Sequence, residues 1–275
     1  MNFSLTSTVT LSNGVEMPRF GLGAWETSID DADRVVCDAA DLGYIMLDTA
    51  TAYRNEEGIG RGLTKLAGEG KKLFVSTKIF NHAKEPMEPV EAFEFSSSKL
   101  GLKVIDLYFM HWPIKGKYLK TWKGIVELYK AGKVNAIGVS NCHMQHIEAI
   151  EKETGVLPMV NQCECHPRLN QKDLRSYCAS RGIVFECYSP LMRGHFDIPV
   201  LEELAKKHGK TAAQVILRWH LQNGSVIIPK TTSRNRMFEN SRIFDFELSA
   251  EDMTTIDSIN DGTRYCPNPD NFSFD

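Results

Sequence analysis

No stretch of this chain approaches the roughly 18 consecutive apolar residues of a membrane-crossing helix, although 42% of its 275 residues are hydrophobic. The apolar content is cut into short segments, enough in total to bury a sizeable core. A surplus of one charge is also missing: 32 Lys and Arg against 35 Asp and Glu leave a formal charge of -3 and a pI near 6.3. Without a global basic field, neither nucleic acid nor an anionic membrane surface is expected as a partner. Seven cysteines, an odd number scattered through apolar segments, argue against a disulfide framework and for buried thiols in a reducing compartment. The opening residues, MNFSLTSTVTLSNG, carry neither the basic nor the apolar stretch of a secretory leader, so a cytoplasmic location is expected.

What is present is an alternation. After a hairpin signal, VTLSNGVEMP with Asn13-Gly14 at the turn, short apolar runs alternate with longer amphipathic ones. The strand candidates run from Arg19 to Trp25, Tyr44 to Ala50, Leu73 to Lys78, Leu107 to Trp112, Asn135 to Asn141, Met159 to Cys165, Val184 to Ser189 and Val226 to Lys230. Between them lie helical patterns such as IDDADRVVCDAADLG, acidic in its first turn and stopped by Gly43. Another is TAAQVILRWHLQNG, capped by Thr211 and closed by Gly224. Near-continuous apolar strands alternating with helices imply a parallel sheet, and eight such units imply an α/β fold closed as a (β/α)8 TIM barrel. About 250 residues suffice for one such barrel, and no linker interrupts the pattern, so residues 1–275 read as a single domain.

Such a barrel places its chemistry at the C-terminal ends of the strands. Those positions hold Trp25, Asp48, Lys78, His111, Asn141, Gln162, Tyr188 and Lys230. So many hydrogen-bonding and aromatic groups at equivalent places are not a core-packing pattern. Singly, each has an ordinary reading: Tyr53 as a loop aromatic, Lys78 as a snorkelling strand end, Asp48 as a helix-capping acid, His111 as a core histidine.

The segments GYIMLDTATAYRNEEGIG, VSTK, DLYFMHWP, AIGVSN, VNQCECHP, YSPL and IPKTTSRNRMFEN resemble, in order and spacing, those of aldo-keto reductases. The compact subgroup containing 2,5-diketogluconate reductases and trypanosomatid prostaglandin F synthases is the most similar, partly because the NPDNFSFD tail is short. The resemblance implies a barrel closed at its base by an N-terminal hairpin, NADPH across the C-terminal face, and the catalytic set Asp48, Tyr53, Lys78 and His111. The chemistry of those residues agrees. Hydride addition develops negative charge on the carbonyl oxygen, which needs an acid and hydrogen-bond donors. Tyr53 supplies the proton, Lys78 is expected to lower the phenol's pKa, Asp48 to fix the lysine, and a neutral His111 to orient the carbonyl.

The same resemblance assigns the nicotinamide amide to Ser140, Asn141 and Gln162 and the stacking face to Tyr188. It adds Gly23, Ala24, Trp25, Asp48, Ser189 and Leu191 to the cofactor contacts. Lys230, Thr231, Thr232, Ser233 and Arg236 would meet the adenosine phosphate, with Glu239 and Asn240 at the adenine; two fixed cations favour NADPH over NADH. Trp25, Tyr53, Phe80, His111 and Trp112 would surround a small-molecule carbonyl substrate. A monomer is expected, and no metal. As a hypothesis, Lys115 and Lys117 would attract an anionic substrate such as a keto acid.

Against the usual family pattern, Ala24 replaces a threonine, Ile45 an arginine and Cys142 an aromatic residue, while Met192-Arg193 replaces a glycine-containing pair; Arg193 could add a phosphate contact. HGKT at His208 to Thr211 lacks the earlier glycine of a P-loop, and GIGRGL at Gly58 to Leu63 lies in a helical pattern, so neither reads as a nucleotide motif. Cys163, Cys165 and His166 read as core residues rather than metal ligands. Two other classes stay open: a catalytically silent NADPH-binding relative with a regulatory or structural role, and a barrel hydrolase or lyase, which would need paired carboxylates where Asp48 is the only strand-end acid.

Overall fold

In the computed structural model, residues 3–79 and 87–272 are described. The antiparallel hairpin β1 (Thr8–Thr10) and β2 (Glu16–Pro18) comes first. Gly14 takes φ +86° at its turn, a conformation that favours glycine. The chain then alternates: β3 (Leu22–Gly23), α1 (Ala32–Asp41), β4 (Met46–Asp48), α2 (Glu56–Gly68), β5 (Phe74–Ile79), α3 (Pro89–Leu100), β6 (Ile105–Met110), α4 (Tyr118–Lys130), β7 (Val134–Ser140), α5 (Met144–Thr154), β8 (Val160–Glu164), α6 (Lys172–Ser180) and β9 (Val184–Tyr188). Two helices follow, α7 (Pro199–His208) and α8 (Ala212–Gln222), then β10 (Val226–Ile227), α9 (Arg234–Asn240) and α10 (Ala250–Asp257).

Strands β3 to β10 form one parallel sheet in sequence order. Parallel bridges Phe20 to Ile227 and Gly23 to Lys230 join its two edges, with Gly21 N donating to Ile227 O at 2.9 Å and Ile227 N to Arg19 O at 3.0 Å. The sheet therefore closes on itself, which leaves no exposed edge. All six residues of β6 are buried, because one face fills the barrel and the other meets helices. The hairpin contacts the opposite end from the strand-end constellation: Asn13 Nδ2 donates to Asn135 O near the start of β7 at 2.9 Å, and Arg19 Nη1 donates to Gly224 O just before β10 at 3.0 Å.

The helix signals act as their chemistry dictates. Thr211 caps α8, accepting from Gln214 N, while the Gln214 side chain returns to Thr211 N. HGKT is thus the link from α7 to α8. GIGRGL lies inside α2, where its glycines permit close helix packing: a Cβ on Gly58 would meet Ile29 O at 2.3 Å and one on Gly60 would meet Lys99 O at 2.2 Å.

Candidate active site

Seven of the eight strand-end residues line one cleft of about 1150 Å³ at the C-terminal mouth: Trp25, Asp48, His111, Asn141, Gln162, Tyr188 and Lys230. The eighth, Lys78, is wholly buried on β5. Its Nζ donates to Asp48 Oδ1 at 2.7 Å, Asp48 Oδ2 at 2.5 Å and Thr49 O at 2.9 Å, and Ser76 Oγ also donates to Asp48 Oδ1 at 2.8 Å. Burial alone would lower the lysine's pKa, but Asp48 and then Tyr53 outweigh it and hold the pKa above the ordinary value.

Tyr53 ends a 3-10 turn, Thr51–Tyr53, which is pinned to β5 because Thr51 Oγ1 donates to Lys78 O at 3.0 Å. Lys78 Nζ lies 5.3 Å from the centre of the Tyr53 ring, and the His111 ring stands edge-on to it at 5.8 Å and 79°. One expectation needs correcting. Lys78 does pull the phenol's pKa down, but burial, the larger influence, pushes it above the ordinary value, and Asp48 adds to the rise. Asp48, bonded to Lys78, offsets part of the lysine's pull on the phenol. Burial and the Lys78 charge drive the His111 pKa well below the usual histidine range, leaving a neutral ring able to donate one N–H.

The adjoining polar groups support one another. Ser140 Oγ donates to Gln162 O at 2.9 Å; Asn141 Nδ2 donates to His111 O at 3.0 Å and to Ser140 Oγ at 3.1 Å. Tyr188 Oη donates to Asn141 Oδ1 at 2.7 Å. Toward the other end, Thr231, Thr232, Ser233, Arg236, Glu239 and Asn240 continue the wall from Lys230, and Gly23, Ser189 and Leu191 belong to it as well. Arg234 is bonded to Asp38 at 2.8 Å, so the cations turned to the cleft here are Lys230 and Arg236. Ala24 is not in the wall: it is buried, its N donates to Asp48 O at 2.8 Å and its carbonyl accepts from Asn55 at 2.8 Å.

A family model described as the Aldo/keto reductase family matches residues 17–261, which include every strand of the barrel. The chain belongs to the aldo-keto reductase family. It is 48% identical to a glyoxal reductase of Bacillus subtilis over the whole of both chains. Identity to the methylglyoxal reductase DkgA of Escherichia coli is 40%, over 96% of this chain and 97% of that one. Among solved structures, a substituted form of Gox0644 in complex with NADPH superposes with a TM-score of 0.91 at 39% identity, covering 98% of this chain and 99% of that one.

Within this aldo-keto reductase, the end of the cleft near Tyr53 and Trp112 has a wall that the strand pattern did not indicate. Tyr265, Cys266 and Pro267 of the C-terminal segment line it, and Phe272 stacks on Trp112 with centroids 3.9 Å apart. Arg193 lies over the Trp25 ring at 4.3 Å and its Nη1 donates to Tyr265 O at 3.3 Å. The segment is held by Glu164, whose Oε1 accepts from Tyr265 N at 2.6 Å and Cys266 N at 3.1 Å. Asp48 is therefore not the only acid at a strand end, since Glu164 closes β8; it anchors the tail. A second acid, Glu186 on β9, lies buried inside the barrel. The available signal was period two, which puts Glu164 on the face of Gln162 and Glu186 on that of Tyr188.

Phe80 lies outside the described residues. Lys115 and Lys117 are not in the cleft wall. All seven cysteines are free thiols; Cys165 gathers not with Cys163 and His166 but with Cys187 and His220, between the sheet and α8, ligand atoms within 4.8 Å.

Proposed function

We propose that this aldo-keto reductase reduces a small aldehyde or ketone to the alcohol with NADPH, with Tyr53 as the proton donor. One observation carries the reading: the buried Lys78–Asp48 pair lies beside Tyr53 and a neutral His111 at one end of a cleft whose other end presents Lys230 and Arg236. The donors fit the cofactor. Gln162 keeps a carbonyl oxygen that can accept from an amide, and the Ser140 hydroxyl and Asn141 amide, bonded here to neighbouring oxygens, are donors that can turn to its carbonyl; Tyr188 offers a stacking face, and Lys230 and Arg236 suit a phosphate. NADPH, when bound, supplies the hydride.

His111 donates an N–H to the carbonyl oxygen and orients it. Tyr53 gives that oxygen its proton as negative charge develops there. Lys78 then stabilises the phenolate left behind, and Asp48 keeps Lys78 charged and in place. Trp25 and Trp112 form an aromatic surround that excludes water. Short dicarbonyls are the first substrates to test, given the names of the relatives and the closely stacked Trp112–Phe272 wall.

The chain acts as a single domain over residues 1–275, a monomer and a cytoplasmic enzyme. Support comes from a core running through the barrel, a smaller cluster where α7, α8 and α10 pack, and, among the described residues, few exposed large apolar side chains: Trp25, Ile29, Val90, Phe95, Val104 and Phe238. Among the described residues no helix is long and apolar enough to cross a membrane.

The test is to mix the protein with NADPH and methylglyoxal, nitrobenzaldehyde, an aldose or a diketogluconate and to follow loss of cofactor absorbance. Turnover on at least one is expected. Tyr53→Phe should lower kcat by about a thousandfold while NADPH affinity stays within about twofold. Tight NADPH binding with no turnover on any carbonyl would instead identify a silent relative.

A further inference from the structure

Glu186 is fully buried on β9, paired in register with Gln162 of β8. Its Oε2 accepts from Gln162 Nε2 at 2.9 Å, while Oε1 is buried with no hydrogen-bond partner. The neighbouring cation, Lys78, is bonded to Asp48 and Thr49 instead. A buried carboxyl held by one amide hydrogen bond is costly. Burial, and next the charge of Asp48, push its pKa up to about 8, so at neutral pH it largely keeps its proton and places no second negative charge beside Asp48.

Gln162 Nε2 carries two hydrogens, and each has an acceptor: Glu186 Oε2 at 2.9 Å and Asp48 Oδ1 at 3.1 Å. Asp48 Oδ1 already receives Ser76 and Lys78 at 2.8 and 2.7 Å, so Glu186 gives the shorter bond from the less crowded acceptor. The reversed amide would set its oxygen against the Asp48 carboxylate. Only one orientation of the amide is therefore stable. We propose that Glu186 is a positioning residue for the cofactor: with the sense of the Gln162 amide set by Asp48, Glu186 takes the second Nε2 hydrogen and holds the amide plane in place, which keeps the Gln162 carbonyl oxygen free to accept an N–H from a bound group, the carboxamide of nicotinamide. The proposal rests on the reading of Gln162 as a nicotinamide contact.

Binding of NADP+ and of its 3-acetylpyridine analogue, in which a methyl ketone replaces the carboxamide, separates this role from general support of the fold. Calorimetry on the full chain should show Glu186→Leu weakening NADP+ about tenfold, or about 1.4 kcal/mol, with the analogue changed by less than about twofold. Glu186→Gln, whose amide oxygen accepts the same hydrogen bond, should restore NADP+ affinity; it also keeps the test open if the leucine variant does not fold, because a loss of affinity in Glu186→Gln would refute the role. Equal weakening of both ligands by Glu186→Leu would overturn the proposal. Gln162→Met provides the reference: if it loses NADP+ selectively and Glu186→Leu does not, the Glu186 proposal alone fails. If Gln162→Met shows no selective loss, the reading of Gln162 fails first.

Discussion

At the end of the cleft proposed for the chemistry, Asp48, Lys78, Ser140, Asn141 and Gln162 are no more than 2% exposed and bond to one another. At the end proposed for the phosphate, Lys230, Ser233 and Arg236 stand exposed to solvent. A group at the first end cannot be removed without stranding a buried partner, and an unpaired buried charge costs far more than the hydrogen bond that was lost. A side chain at the second end takes away only its own contact. The geometry proposed for catalysis therefore belongs to the folding of the barrel, whereas the residues proposed for cofactor selectivity stand on the surface.

The sharpest way to break this contrast is Lys78→Met. It should abolish turnover and lower the unfolding free energy by about 3–5 kcal/mol, measured by urea denaturation; unchanged stability would mean that the buried pair does not hold the site together. A smaller effect is expected from Arg236→Ala, which should weaken NADPH about tenfold, leave NADH within about twofold, and change stability by less than about 0.5 kcal/mol. Equal losses for the two dinucleotides would remove the phosphate role.

The smallest effect concerns pH. The folded pKa of His111 lies well below its unfolded value, so in the window beneath about 6.5 the unfolded chain binds a proton that the folded chain refuses. Stability is then lost as pH falls through that window, while the ring stays neutral and keeps the N–H proposed to orient the carbonyl. Turnover should stay nearly flat from about pH 7 to 6, and His111→Asn should flatten the acid side of the stability profile. A sharp fall in turnover centred near 6.5 and absent from the variant would show that the histidine titrates normally.

Much of the barrel was legible because its signals are local. Apolar runs of strand length, Thr211 as a cap and Gly14 at a turn each depend on residues a few positions apart, and the strand-end rule then singled out seven residues of the cleft wall. Strand lengths were less legible: the run from Arg19 to Trp25 keeps only Leu22–Gly23 as strand. At the mouth the chain leaves the ladder to aim side chains, and Glu26, Arg54, Asn141 and Ser189 all take positive φ there, conformations the surrounding structure must hold in place. Glu164 and Glu186 read as isolated polar residues in apolar runs, and their partners are remote: Tyr265 lies 101 residues beyond Glu164.

By itself, the sequence determined the parallel barrel, the face that carries the chemistry, and Asp48, Tyr53, Lys78 and His111 as its candidates, because periodicity and motif spacing are properties of neighbouring residues. The tertiary structure alone decided the balance of charge around Tyr53, the anchoring of the C-terminal wall by Glu164, and the place of Glu186 beneath Gln162. Those depend on burial and on which distant strands closure of the barrel brings within hydrogen-bond reach, and both are set only when the whole sheet has formed.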